Sequence, residues 1–196
     1  PYLNSLRRIV EGVSLVQEVS PQVRARVMAH GEFLSTTLGA AYLNARGLST
    51  RWLDARTILE ATALPTENPE RAYLSATCVV QPSPSLQAES AAHPESILLT
   101  QGFVARNTQG HTVLLGRGGS DTSAAYLATL FQAERCEIWT DVPGLYTANP
   151  RLIPDARLLL GLGYDEAQEI ASMGAKVLHP RCIPPLREHA IPLEIR

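Results

Sequence analysis

The sequence predicts an α/β fold, a mostly parallel sheet with helices on both faces, and three observations predict it. From residue 49 onward, strand-like apolar runs alternate with segments of helical periodicity, the pattern of layered α/β chains. The run His111 to Leu115 passes directly into Gly116-Arg117-Gly118-Gly119-Ser120-Asp121 and then into a helical segment. A second run, Cys136 to Thr140, leads into Asp141 and a tight turn. Polar and glycine-rich residues just past strand ends are where open α/β sheets take their ligands.

The elements can be justified in order. Leu3, Leu6, Ile9, Val10, Val13 and Val16 recur at helical spacing, which predicts a helix from Tyr2 to Val19. Pro21 restarts a second helix running to about Arg46, so the chain opens with an α-hairpin. After Gly47, Ser49 to Ala55 predicts a short strand, Tyr73 to Val80 a weaker one, and Pro82-Ser83-Pro84-Ser85 a polar loop. Ser96 to Arg106 predicts a strand broken at Gly102, with Asn107 to Gly110 as turn residues and His111 to Leu115 as the returning strand. That hairpin feeds the glycine run. Ser120 to Ala133 predicts a helix with Ser120 as its N-cap, Cys136 to Thr140 a short buried strand, and Asp165 to Met173 another helix. His179 to Glu188 predicts a helix interrupted by Pro184 and Pro185, and Ile191 to Ile195 a terminal strand. No internal repeat, low-complexity tract or domain linker interrupts this order.

Composition narrows the function classes. With 196 residues, 45% of them apolar and 18% charged, the chain is sized for one domain with its own core. A formal charge of -2 and no cluster of Lys and Arg argue against a nucleic-acid surface or a membrane-binding face, leaving small molecules as the expected partners. Cys78, Cys136 and Cys182 form no CxxC pair and leave an odd count, so neither a disulfide framework nor a zinc site is predicted. The expected setting is reducing and cytoplasmic. The start, Pro1-Tyr2-Leu3-Asn4, has neither an initiator Met nor a signal pattern, and the chain reads as an internal piece of a longer polypeptide.

The glycine run carries the first chemical argument. Three glycines within four positions let backbone N–H groups approach an anion, and the following helix directs its positive end at the same point. Arg117 adds a planar fork that matches a carboxylate or phosphate, while Asp121 can answer an ammonium group or hold a cation-linked network. Taken alone, such a cluster also makes a plain turn. The run is neither a Walker A loop, which ends in Lys-Ser or Lys-Thr, nor a dinucleotide fingerprint, whose glycine spacing differs.

Other segments add candidates, each with a plainer alternative. Thr140 and Asp141 end a strand and can meet a nucleotide or a metal-phosphate array, and Arg151 on the loop beyond can reach a polyphosphate or simply be solvated. Lys176, in Gly174-Ala175-Lys176, is the chain's only lysine beside 16 arginines, as a compact phosphate-binding charge would be; a coding bias would also deplete lysine. Gly31 within a helical segment costs roughly 1 kcal/mol and suggests close packing or ligand approach there. Its neighbour Glu32 can pair with an ammonium or lie on the surface. His30 and His179 read as structural hydrogen-bonding residues.

Taken together, His30-Gly31-Glu32, Thr100-Gln101-Gly102-Phe103, Gly116 to Asp121, the run Trp139 to Arg151 and Gly174 to Pro180 closely resemble aspartate kinases in identity, order and spacing. Glutamate 5-kinases, acetylglutamate kinases and uridylate kinases share that fold but not this set of motifs. The resemblance implies the amino-acid kinase fold, a three-layer α/β/α sandwich with a mostly parallel central sheet, with residues 1–196 forming one partial catalytic domain. It implies ATP-dependent phosphorylation of the L-aspartate side-chain carboxylate, opening lysine, threonine and methionine synthesis, with Mg²⁺ on the phosphates and no metal site of the protein's own.

By the same resemblance, Glu32, Phe103, Arg117, Ser120 and Asp121 contact or organise aspartate, and Thr140, Asp141, Tyr146, Arg151 and Lys176 line the ATP side. Lys176, Arg117 and Asp121 are the implied catalytic residues. Family members begin with a strand and a KFGGTS-like loop and end in ACT domains, neither of which is present in these residues. The expectation is therefore that residues 1–196 alone lack kinase activity and that the longer parent is a homo-oligomer. The motif variants look nearer to lysine-sensitive and diaminopimelate decarboxylase-fused kinds than to homoserine dehydrogenase fusions. The competing expectation is a non-catalytic aspartate- or nucleotide-binding module.

Overall fold

The computed structural model describes residues 2–62, 68–93, 97–174 and 177–196. Helices α1 (Tyr2–Val16) and α2 (Pro21–Ala45) form the expected hairpin. The Ser20 hydroxyl accepts the Val23 N–H at 3.3 Å, and Pro21 stands in the first turn, where its missing N–H costs nothing. At the far end Asn44 imitates a strand neighbour: its amide donates to the Thr50 carbonyl and accepts the Thr50 N–H, joining α2 to β1 (Thr50–Leu53).

The strands pair two by two. β1 lies parallel to β2 (Ile97–Thr100), β3 (Val104–Arg106) antiparallel to β4 (Thr112–Leu114), and β5 (Cys136–Ile138) parallel to β6 (Leu193–Ile195). Two of the three pairs are parallel, as expected. The described residues show no ladder joining them into one continuous sheet, because the runs beside β3 and β4 register through single bridges only, Glu60 with Arg106 and Ala61 with Cys78.

The β3–β4 hairpin displays the layering directly. Val104 and Leu114, a registered pair, pack with Ala25, Ala29 and Phe33 of α2. Ala105 and Val113, the next pair, face the other way, onto Tyr126 and Leu130 of α5 (Gly119–Phe131). Period-two alternation between two apolar faces places this ribbon between a helix on each side. A third cluster joins α5, β5, α6 (Tyr164–Ser172) and α7 (Ile183–Glu188) around Cys182, Ile183 and Leu186, all fully buried.

Four expectations need correction. The segment Tyr73 to Val80 is no strand: Asn68 caps a short helix, α3 (Pro69–Leu74), and only Cys78 makes a bridge. The polar loop at 82–85 instead opens α4 (Pro84–Ala91), with Ser83 as N-cap and Pro84 in the first turn. The N-cap of α5 is Gly118 and not Ser120, since a left-handed residue at φ +64° ends the glycine turn two positions earlier. Finally, of the two readings of Gly31, close packing is not found among the described residues, where nothing lies within 4 Å of a built Cβ; the close approach along α2 comes at Gly39, where a Cβ would meet the Leu99 side chain at 3.2 Å.

Candidate active site

The site is built around the turn between β4 and α5. Gly116 and Gly118 take φ +75° and +64°, and the Gly119 N–H closes the turn onto the Gly116 carbonyl at 3.0 Å. Each glycine is required by a neighbour, and Gly116 and Gly118 by their backbone as well. A Cβ on Gly116 would lie 2.7 Å from the Ser75 hydroxyl, one on Gly118 2.3 Å from the His179 side chain, and one on Gly119 2.5 Å from the Phe103 ring. No side chain caps the first turn of α5, so its positive end is left to a ligand or solvent.

Phe103 links this turn to α2. Its backbone sits at φ +68°, a costly conformation for an aromatic residue, and two hydrogen bonds hold it there. Its N–H donates to the Ser123 hydroxyl at 2.7 Å, and its carbonyl accepts the Leu115 N–H at 2.9 Å. The ring packs on the cluster containing Phe33, the residue after Glu32. Just before it, Gln101 is fully buried, accepts the Ala55 N–H at 2.9 Å and donates to the Thr36 hydroxyl at 2.9 Å; Thr36 in turn donates to the Glu32 carbonyl at 2.7 Å. A fixed chain of hydrogen bonds thus runs from the motif at residue 101 to the turn of α2 that carries Glu32.

Asp121 is half-buried in the first turn of α5. Burial raises its pKa, opposed by the His179 backbone N–H, which donates to the carboxylate, and by the nearby imidazole. His179 in turn is pushed below its ordinary value by burial first and then by Arg181, with Arg117 acting the same way. The neutral ring accepts the Arg181 N–H at Nδ1, 3.3 Å away. Among the described residues, neither the Arg117 guanidinium nor the Glu32 carboxylate has an ion-pair partner; Arg117 and Ser120 are exposed and Glu32 half-buried.

The nucleotide-side candidates lie past β5. The Thr140 hydroxyl is 3.3 Å from the Asp141 carboxylate, and the Thr140 N–H donates to the Arg196 carbonyl, so the end of β5 is tied to the end of the chain. Tyr146 bridges Leu158 across a loop whose tip carries Arg151, exposed, with its N–H on the Asn149 side chain. Beside them opens a cleft of about 460 Å³ bounded by Gly144, Leu145, Tyr164, Leu178 and Ile183. Lys176 lies outside the described residues.

The structure therefore gathers Phe103, Arg117, Ser120 and Asp121 at one turn, with Glu32 beside the Phe33 cluster. Thr140, Asp141, Tyr146 and Arg151 sit on a separate stretch, and residues 178–183 run between the two. Sequence reasoning missed Gln101, Ser123 and Arg181. Gln101 alone carried a signal, a polar amide between an apolar strand and a glycine. His30 is a buried hydrogen-bonding residue, its Nδ1 2.6 Å from the Arg26 carbonyl.

A helix–ribbon–helix layering with a glycine turn feeding a helix N-terminus defines a class of layered α/β domains. UMP kinase from Bacillus anthracis shares it as a likeness of fold, with a TM-score of 0.57 at 12% identity over 94% of this chain and 64% of that one. The chain belongs to the amino acid kinase family, whose profile matches residues 5–196. It is 40% identical over 191 residues to a bifunctional aspartokinase/homoserine dehydrogenase of Haemophilus influenzae, covering 97% of this chain and 22% of that protein.

To the lysine-sensitive aspartokinase 3 of Escherichia coli it is 35% identical over 194 residues, 96% of this chain and 42% of that one. Single-function and dehydrogenase-fused proteins are thus both among its relatives. The structure of E. coli aspartokinase III in complex with aspartate and ADP superposes with a TM-score of 0.82 at 33% identity, over 99% of this chain and 42% of that one. The chain spans 22% of the fused protein's length and 42% of that of the single-function aspartokinase. No helix among the described residues is long and apolar enough to cross a membrane.

Proposed function

We propose that this chain carries the catalytic region of an aspartate kinase, transferring the γ-phosphoryl group of ATP to the side-chain carboxylate of L-aspartate. One observation carries the reading: the exposed Arg117 guanidinium, with no carboxylate partner among the described residues, stands at the uncapped positive end of α5 in a turn that three glycines and their neighbours hold in shape. A bidentate fork beside a helix N-terminus suits a carboxylate-bearing substrate. Glu32 and Asp121 supply negative charge for the α-ammonium group, Phe103 an apolar wall, and Ser120 a hydroxyl.

The reaction needs positioning and charge neutralisation more than a base. Aspartate arrives ionised; its carboxylate oxygen attacks the γ-phosphorus, the bond to the bridging oxygen of ADP breaks, and no proton has to leave the nucleophile. Thr140, Asp141, Tyr146, Arg151 and Lys176 are assigned to the ATP side on the family resemblance. Mg²⁺, which takes one or two carboxylates and keeps several waters, would neutralise the β- and γ-phosphates, and the exposed Asp141 is suited to contribute an oxygen.

The test is hydroxamate trapping of aspartyl phosphate by the intact protein with ATP, Mg²⁺ and L-aspartate. Product is expected from the wild type, and Arg117→Ala is expected to raise the aspartate KM by about tenfold or more, the scale of a lost charge-assisted contact. Aspartate kinetics left unchanged by Arg117→Ala would remove that residue from the site, and no product from the wild type would overturn the proposal.

A further inference from the structure

One three-residue stretch, His179 to Arg181, grips the glycine turn at both ends. At the far end the His179 N–H is accepted by Asp121, and the ring lies where any side chain on Gly118 would have to go. At the near end the Arg181 guanidinium donates through Nη1 to the Leu115 carbonyl at 2.6 Å. Through Nη2 it donates to the Ala76 carbonyl at 2.6 Å and the Thr77 hydroxyl at 2.9 Å. Ala76 in turn donates its N–H to the Leu114 carbonyl at 2.8 Å, and Ser75 touches Gly116, so Arg181 ties together three passes of chain that meet where the turn begins.

A half-buried cation normally finds a carboxylate. Among the described residues Arg181 has none; its fork is directed at two carbonyls and the Thr77 hydroxyl, with the Tyr126 hydroxyl as a further hydrogen-bonding neighbour. That is costly unless the carbonyls themselves must be held, and Leu115 is the last residue before the glycines. Leu178, the residue before His179, together with Ile183, lines the cleft beside Gly144 and Leu145.

We propose that Arg181 is a positioning residue: through the Leu115 carbonyl it fixes residues 116–121 in the shape that presents Arg117 and Asp121, and it anchors that turn to the segment walling the neighbouring cleft. A lysine ammonium is a point charge that can reach one of the two carbonyls well but not both, so the fork itself is what the position requires. The kinetic consequence rests on the aspartate reading of the turn; the structural consequence does not.

Arg181→Gln and Arg181→Lys in the intact protein, followed by hydrogen–deuterium exchange and by steady-state kinetics, test the proposal. In Arg181→Gln, exchange in a peptide covering 115–122 is expected to quicken about tenfold while α2 keeps its protection, with Arg181→Lys intermediate. The aspartate KM is expected to rise about tenfold with the ATP KM within about threefold, the equivalent of one charge-assisted hydrogen bond. Unchanged protection at 115–122 overturns the proposal, as does equal loss in α2 with both KM values rising together, which marks general destabilisation. Should Arg181→Gln fail to fold, Arg181→Lys decides by the same criteria. If the wild type makes no aspartyl phosphate, the aspartate reading falls and the exchange result alone judges Arg181.

Discussion

Replacing Gly118 by alanine tests how the glycine turn is held. Two costs add there. At φ +64° an L-residue is strained by about 1–2 kcal/mol. The new Cβ would also sit 2.3 Å from the His179 Cβ and Cγ and 2.5 Å from Cδ2, so ring or turn must shift by more than an ångström. His179 cannot simply swing away, because its N–H is held by Asp121 and its Nδ1 by the Arg181 N–H. Overpacking of that kind costs about 1–3 kcal/mol, giving a total of about 2–5 kcal/mol. Gly110→Ala is the matched control: its φ is +78°, nothing lies within 4 Å of its Cβ, and only the backbone cost applies. Urea unfolding of the two variants isolates the packing contribution as their difference, about 1–3 kcal/mol. A Gly118→Ala protein no less stable than Gly110→Ala would refute the contact between His179 and the turn, and with it the account of how the turn keeps its shape.

Three further outcomes are expected. Gln101→Leu leaves the buried Ala55 N–H without an acceptor and should cost about 1–3 kcal/mol in urea unfolding; a neutral result would show that the amide is not needed there. The folded pKa of His179 lies below its ordinary 6.5, so the stability it contributes is present above that value and is lost as pH falls through the window beneath it. Asp121, raised above 3.8, acts oppositely, relieving its penalty as it protonates, so His179→Gln should flatten the fall in Tm on acidification; an identical slope in the variant would remove His179 as the cause. The three thiols are buried, with pKa values pushed up to about 12 for Cys78 and Cys182 and about 11 for Cys136, so a thiolate reagent at pH 8 or so should label them only after unfolding; labelling of the native protein would contradict that burial.

Much of the fold was legible because its periodicities are local. The hairpin at 104–114 and helices α1, α2, α5 and α6 follow from apolar spacing and turn residues close in sequence. The errors were local too, and their signals were present. Asn68-Pro69 and Ser83-Pro84 are each an N-cap followed by a first-turn proline, yet the apolar content of 73–80 and the polarity of 82–85 outweighed them. Residue type alone points to Ser120 as the cap, whereas a glycine in the left-handed region can begin a helix with no side chain at all.

The turn itself was legible as a place but not as a shape. Its glycines announce close backbone approach without saying what approaches, and the partners come from distant parts of the chain. Ser75 and Phe103 lie upstream of the turn, while His179 lies far downstream, beyond α6. Arg181 reaches Leu115 across 66 residues and Ala76 across 105. A short polar run such as Gly116 to Asp121 has too few contacts of its own to choose one conformation against the entropy of a free loop. Its geometry is therefore supplied by the rest of the fold, so the position of Arg117 is a property of Phe103, His179 and Arg181 as much as of the motif. Moving residues 116–121 alone into another strand–helix junction should carry over the residue types but not the binding geometry.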